Sequence, residues 1–133
     1  LQSFIFNLMT NQKLMMTSMI LTGLILTITP FAFAEQVSVS LPQGSGVPGC
    51  DETNECFIPF NVSVSAGEEI TWSNDDSAAH TVTSGTPSGG SDGNFDSGLF
   101  MAEGTFSVTL DESGEYPYYC MVHPWMIGNI TVN

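Results

Sequence analysis

From Gln36 onward the chain alternates apolar and polar residues in short runs, the period of a strand with one face buried. Gln36-Val37-Ser38-Val39-Ser40-Leu41 sets Val37, Val39 and Leu41 on one side. Ile70-Thr71-Trp72-Ser73 turns Ile70 and Trp72 inward, and Thr105 to Leu110 does the same with Phe106, Val108 and Leu110. Phe57 to Val64 reads as extended, with Pro59 confining part of it to an edge or a bulge. Thr81-Val82-Thr83 predicts a strand that buries Val82, and Phe95 to Phe100 predicts a further extended run. Glu115 to Cys120 and Gly128 to Val132 are the last two predicted strands. Turn residues separate these runs at Pro42 to Gly49, Ala66 to Glu69, Asn74 to Asp76 and Asp111 to Gly114. Gly85 to Asn94, rich in Gly and Ser, predicts a solvated, mobile loop. It is no phosphate cradle, because it lacks the following Lys and the strand-to-helix setting. Seven or eight short strands, with no helical period after residue 34, predict an all-β antiparallel β-sandwich. Alternation alone leaves the strand order open.

The first 34 residues read differently. Lys13 precedes an apolar run from Leu14 to Ile28, Pro30 breaks it, and Ala32-Phe33-Ala34 has the small-x-small pattern of a signal-peptidase site. The expectation is a signal peptide over 1–34 and an exported domain over 35–133, periplasmic, extracellular or cell-surface. An uncleaved anchor is the alternative, although the run is short and Thr-rich for a spanning helix. The stretch before Lys13 is atypical of a leader, and Met9 or a later Met is an alternative start. About one hundred residues then remain, enough for one core and too few for a second domain.

The chemistry concentrates in Tyr118-Tyr119-Cys120-Met121-Val122-His123-Pro124-Trp125-Met126. The spacing C-x2-H-x2-M offers a thiolate, an imidazole and a thioether from one loop, a soft donor set that suits copper. A trigonal site of two His and one Cys with a weak axial Met is the geometry of an electron-transfer copper centre. His80 is the only other histidine in the chain and is the candidate for the second imidazole. Met121 competes with Met126 for the axial place, but in an extended segment it points away from the side that Cys120 faces, which favours Met126. Each ligand has an ordinary alternative: a buried inert thiol for Cys120, rim histidines for His80 and His123, core filler for Met126. Zinc also binds Cys and His, but a thioether is a poor zinc ligand.

The segment from Val37 to Asn133 resembles the small blue copper proteins, or cupredoxins, of the plastocyanin, pseudoazurin and amicyanin group. The resemblance rests on Trp72-Ser73-Asn74-Asp75-Asp76 ahead of His80-Thr81-Val82-Thr83-Ser84, on Phe95-Asp96-Ser97-Gly98, and on the ligand loop. The two-residue gap between His123 and Met126 is most similar to the short loop of amicyanin. The resemblance implies a Greek-key cupredoxin topology in which that loop and His80 meet at one end of the sandwich. It also implies that His123 sits at the solvent edge inside an apolar docking patch, here Met121, Pro124 and Trp125, and that Tyr119 marks a second electron route. In the family the residue after the first His helps hold the thiolate; Thr81 stands there, where plastocyanin has Asn.

With Cys120 assigned to the metal, Cys50 and Cys56 remain, and in an exported protein such a close pair is most simply a disulfide. A second metal site using these cysteines and the acids between them is the competing reading. Charge then limits the partners. Lys13 is the only basic residue, so from Glu35 onward the chain carries 14 acidic residues and no Lys or Arg. Nucleic acid is excluded, since phosphate binding draws on Lys and Arg. A cationic protein redox partner is favoured; the alternative is that the acids serve solubility or tolerance of salty surroundings.

The leading function is single-electron transfer between redox proteins outside the cytoplasm, by a monomer with one Cu(I)/Cu(II) ion and no small-molecule substrate. Copper carriage or storage would use the same ligands. An enzyme is not expected, because the chain lacks a second Cys in the ligand loop and the His-x-His pairs that larger copper enzymes need.

Overall fold

The computed structural model describes residues 36–133. The predicted signal peptide and its alternative anchor lie outside the described residues; within them, no helix is long and apolar enough to cross a membrane. The strands are β1 (Val37–Leu41), β2 (Asn61–Val64), β3 (Glu69–Asn74), β4 (Thr83–Thr86), β5 (Gly90–Asp96), β6 (Thr105–Thr109), β7 (Gly114–Tyr119) and β8 (Ile127–Val132). One sheet has the order β1-β3-β6 and the other β2-β8-β7-β4-β5.

The predicted all-β sandwich is present, with mixed sheets: β1 lies parallel to β3, and β2 parallel to β8. The reason is connectivity. The chain leaves β1 for β2 in the opposite sheet and then returns to β3, and a chain that crosses over and back lays its strand beside the first in the same direction. Period-two alternation reports which face of a strand is buried and nothing about which sheet the strand joins.

The inward faces meet as read. Val39, Leu41, Ile70 and Trp72 are fully buried, while Val37, Phe106 and Val108 pack against them from partly exposed positions. Trp72 is the centre of an aromatic cluster, with ring centroids 5.4 Å from Tyr118, 5.8 Å from Phe106 and 6.1 Å from Phe95. Burying each such side chain contributes roughly 1.5–3 kcal/mol.

Gly85 to Asn94, expected as a loop, is instead mostly a β-hairpin formed by β4 and β5. Ser91 to Asn94 are all exposed, so the pattern carries no apolar alternation. Gly85 makes the hairpin possible, since its φ is 119° and a Cβ there would lie 2.1 Å from the Gly90 carbonyl oxygen. The run expected over Phe95 to Phe100 ends as a strand at Asp96; Phe100 returns as a bridge to His80. That bridge fixes the segment between β3 and β4 at the end of the sandwich where β7 turns into β8.

Candidate metal centre

Two segments build the site. Cys120 directly follows β7, and its N–H donates to the Met126 carbonyl at 3.1 Å, while the Met126 N–H donates to the His123 carbonyl at 2.9 Å. These bonds close Cys120 to Met126 into a tight loop, and Pro124 restricts its backbone further. His80 is clamped from the other side by a bond from its N–H to the Phe100 carbonyl at 3.1 Å and by the return bond at 2.9 Å.

The two segments bring three donor atoms together. Cys120 Sγ lies 3.8 Å from His80 Nδ1 and 3.7 Å from His123 Nδ1, and the two Nδ1 atoms are 3.1 Å apart. A trigonal ion with a bond of about 2.3 Å to thiolate and about 2.0 Å to imidazole separates sulfur from nitrogen by about 3.7 Å, so the triangle fits one small metal ion. His80 and Cys120 are fully buried and His123 is partly exposed. Among the described residues Cys120 is the only free cysteine.

The surroundings prepare these atoms for a metal. The Thr81 amide donates to Cys120 Sγ at 3.3 Å, and the Thr81 hydroxyl oxygen accepts the Met121 N–H at 2.8 Å. Burial pushes the Cys120 thiol up, but the His80 ring and the backbone amides of Thr81, Val122 and His123 outweigh it and hold it below its ordinary value. His80 is pulled down by burial and raised more by Cys120 and Asp76, a net rise. His123 is lowered by burial and by His80 beside it. His80 Nε2 lies 2.9 Å from Asp76 Oδ2. An ionised carboxylate only accepts, so Nε2–H donates to it and the lone pair of the neutral ring falls on Nδ1, facing Cys120 and His123.

The other predicted residues are placed as follows. Met126 is fully buried and belongs to the core cluster, whereas its competitor Met121 is 54% exposed. Pro124 is exposed and Trp125 is partly buried, its Nε1–H donating to the Ser45 carbonyl at 3.0 Å. Tyr119 is buried and offers no open surface. Cys50 and Cys56 form a disulfide, which removes the second-metal reading.

In the sequence Asp76 stands in a turn and in the Trp72–Asp76 motif, and neither position marks its contact with His80. The available signal was the i,i+4 spacing of a carboxylate and a histidine, which says little outside a helix.

Comparison with known proteins decides the family. Residues 47–133 match the model of the copper-binding proteins of the plastocyanin/azurin family. This chain belongs to that family. Copper is therefore the cofactor of this cupredoxin, and the triangle of His80, Cys120 and His123 suits a single ion. Plastocyanin of Solanum tuberosum is 40% identical over 94 residues, covering 64% of this chain and 95% of that protein. Plastocyanin of Sambucus nigra is 39% identical over the same shares. Among solved structures, the purple cupredoxin of Nitrosopumilus maritimus matches with a TM-score of 0.65 and 32% identity, over 73% of this chain and 99% of that one. Amicyanin of Paracoccus versutus shares the fold at a TM-score of 0.55 and 21% identity, over 75% of this chain and 83% of that one.

Proposed function

We propose that this cupredoxin carries single electrons between protein partners outside the cytoplasm, with copper held by His80, Cys120, His123 and Met126. The convergence of one thiolate and two imidazole nitrogens within a few ångströms is the observation that carries this reading. Bound copper would supply a one-electron couple between Cu(I) and Cu(II). The chain supplies a fixed cage. His80 is locked between Phe100 and Asp76, and Cys120 sits under the Thr81 amide. Donors held this way move little when charge changes, which keeps the reorganisation cost of electron transfer low. With His80, Cys120, His123 and Met126 as its ligands the copper would have no place left for a substrate, which supports a carrier over an enzyme.

His123 is the part-exposed ligand and the natural exit for the electron. Met121 and Pro124 are exposed beside it and give a partner an apolar landing surface, with Trp125 underneath bracing the ring at a centroid distance of 5.2 Å. The absence of Lys and Arg after Lys13 favours a cationic partner. Export is supported by the signal-like first 34 residues and by the Cys50–Cys56 disulfide, which suits an oxidising compartment.

The test is a visible spectrum of the Cu(II)-loaded protein beside Cys120→Ala, followed by voltammetry. An intense thiolate-to-copper band in the wild type only, with fast reversible reduction, is expected. A colourless protein that binds Cu(I) alone and hands it on would overturn electron transfer in favour of copper carriage.

A further inference from the structure

Asp76 is 3% exposed. Its Oδ2 lies 2.9 Å from His80 Nε2 and accepts the Gly46 N–H at 2.8 Å. Its Oδ1 accepts the Gly44 N–H at 3.0 Å, the Gln43 Nε2–H at 2.9 Å and the Ser77 N–H at 2.8 Å. Most of these donors belong to one segment, Gln43 to Gly46, that follows β1 and runs across the metal end of the sandwich. Gly46 passes so close that a Cβ would lie 2.9 Å from Ala78 Cβ, 3.2 Å from Asp76 Oδ2 and 3.6 Å from His123 Cε1. The next residue back, Ser45, accepts the Trp125 indole N–H through its carbonyl. One strap thus touches the elements that carry both histidines, and Asp76 is the group that binds it down.

We propose that Asp76 is a positioning residue of the copper centre: its carboxylate fixes His80 with Nδ1 toward the metal and anchors the Gln43–Gly46 strap against His123. The proposal rests on His80 and His123 being copper ligands. Two consequences follow. The ring of His80 cannot turn over without breaking its bond to a carboxylate that is already committed to the strap. The carboxylate also places a buried negative charge beside the copper, and such a charge favours Cu(II) over Cu(I).

The experiment compares the purified wild type with Asp76→Asn and Asp76→Ala. Asp76→Asn is nearly isosteric and keeps the strap partly anchored should the Ala variant fail to fold. In the metal-free protein, nitrogen NMR at a pH where the ring is neutral reads the His80 tautomer. The wild type is expected to hold its proton on Nε2 with slow exchange, Asp76→Asn to weaken that protection because a neutral amide oxygen still accepts, and Asp76→Ala to lose it. In the copper-loaded protein, the ratio of Cu(I) to Cu(II) affinity is expected to rise in Asp76→Asn by roughly tenfold or more, the effect of one charge over several ångströms at intermediate dielectric. A His80 proton on Nδ1 in the wild type, or an exchange rate that neither variant alters, overturns the positioning role. An unchanged affinity ratio overturns the electrostatic part. If copper failed to bind at His80 and His123 the function reading would fall, and the NMR arm would still judge the Asp76–His80 contact by itself.

Discussion

The sulfur of Cys120 accepts a hydrogen bond from the Thr81 amide at 3.3 Å, although 39 residues separate the two. The same residue fixes the ligand loop through its hydroxyl oxygen, which takes the Met121 N–H. Thr81→Val keeps the amide and removes that acceptor. The Met121 N–H then loses its partner, and the variant should be less stable by about 0.5–1.5 kcal/mol, the net contribution of one part-buried hydrogen bond. Its thiolate-to-copper band should persist, because the amide still faces the sulfur. Urea unfolding and a visible spectrum on the same sample check both halves.

The stability that Asp76 contributes to the metal-free protein should be lost on acidification. Burial pushes the Asp76 carboxyl up, but hydrogen bonds from Gly44, His80, Gly46 and Ser77 outweigh it and hold the group well below its ordinary value of 3.8. The unfolded chain therefore takes up this proton at a higher pH than the folded one does. The contribution is complete at neutral pH, begins to disappear as pH drops through 3.8, and is lost as the depressed folded value is passed. Denaturant midpoints from pH 7 down to pH 2 should show this slope in the wild type and a shallower one in Asp76→Ala.

Replacing both Cys50 and Cys56 by Ala should cost about 2 kcal/mol, since the bridge spans only six residues and closes a short loop. Reduction of the wild type by a strong dithiol should produce the same loss. Equilibrium unfolding with and without reductant measures it, and the double variant should be insensitive to reductant.

Association with a cationic redox protein should slow as salt is added. From Glu35 onward the chain has no positive side chain to offset its acids. The Debye length shrinks from about 30 Å at 0.01 M salt to about 10 Å at 0.1 M, so steering by this surface should fade over that range. Stopped-flow oxidation of the copper-loaded protein is expected to slow by roughly tenfold or more across it. A rate independent of salt would leave the acids with a solubility role.

Much of the molecule was legible before folding was considered. Alternation at Val39, Leu41, Ile70 and Trp72 named the buried face, because a strand's side chains repeat every two residues whatever its partners are. The grouping of His80, Cys120 and His123 was legible for a similar reason: Cys120 and His123 are three residues apart, and one unpaired Cys with only two His leaves few ways to build a soft site. The β4–β5 hairpin was not legible, since its solvated strand residues leave no apolar mark and its turn rests on Gly85, where a side chain would strike the backbone opposite. The parallel pairs were hidden as well, because sheet membership depends on where the chain crosses over. Asp76 is the sharpest case. The sequence by itself determined which soft side chains were available and the strands that flank them, since both are properties of short segments. Only the tertiary structure decided that a turn aspartate should hold His80 and bind down Gln43 to Gly46, because that strap lies thirty or more residues from Asp76 along the chain and comes beside it only when β1 pairs in parallel with β3.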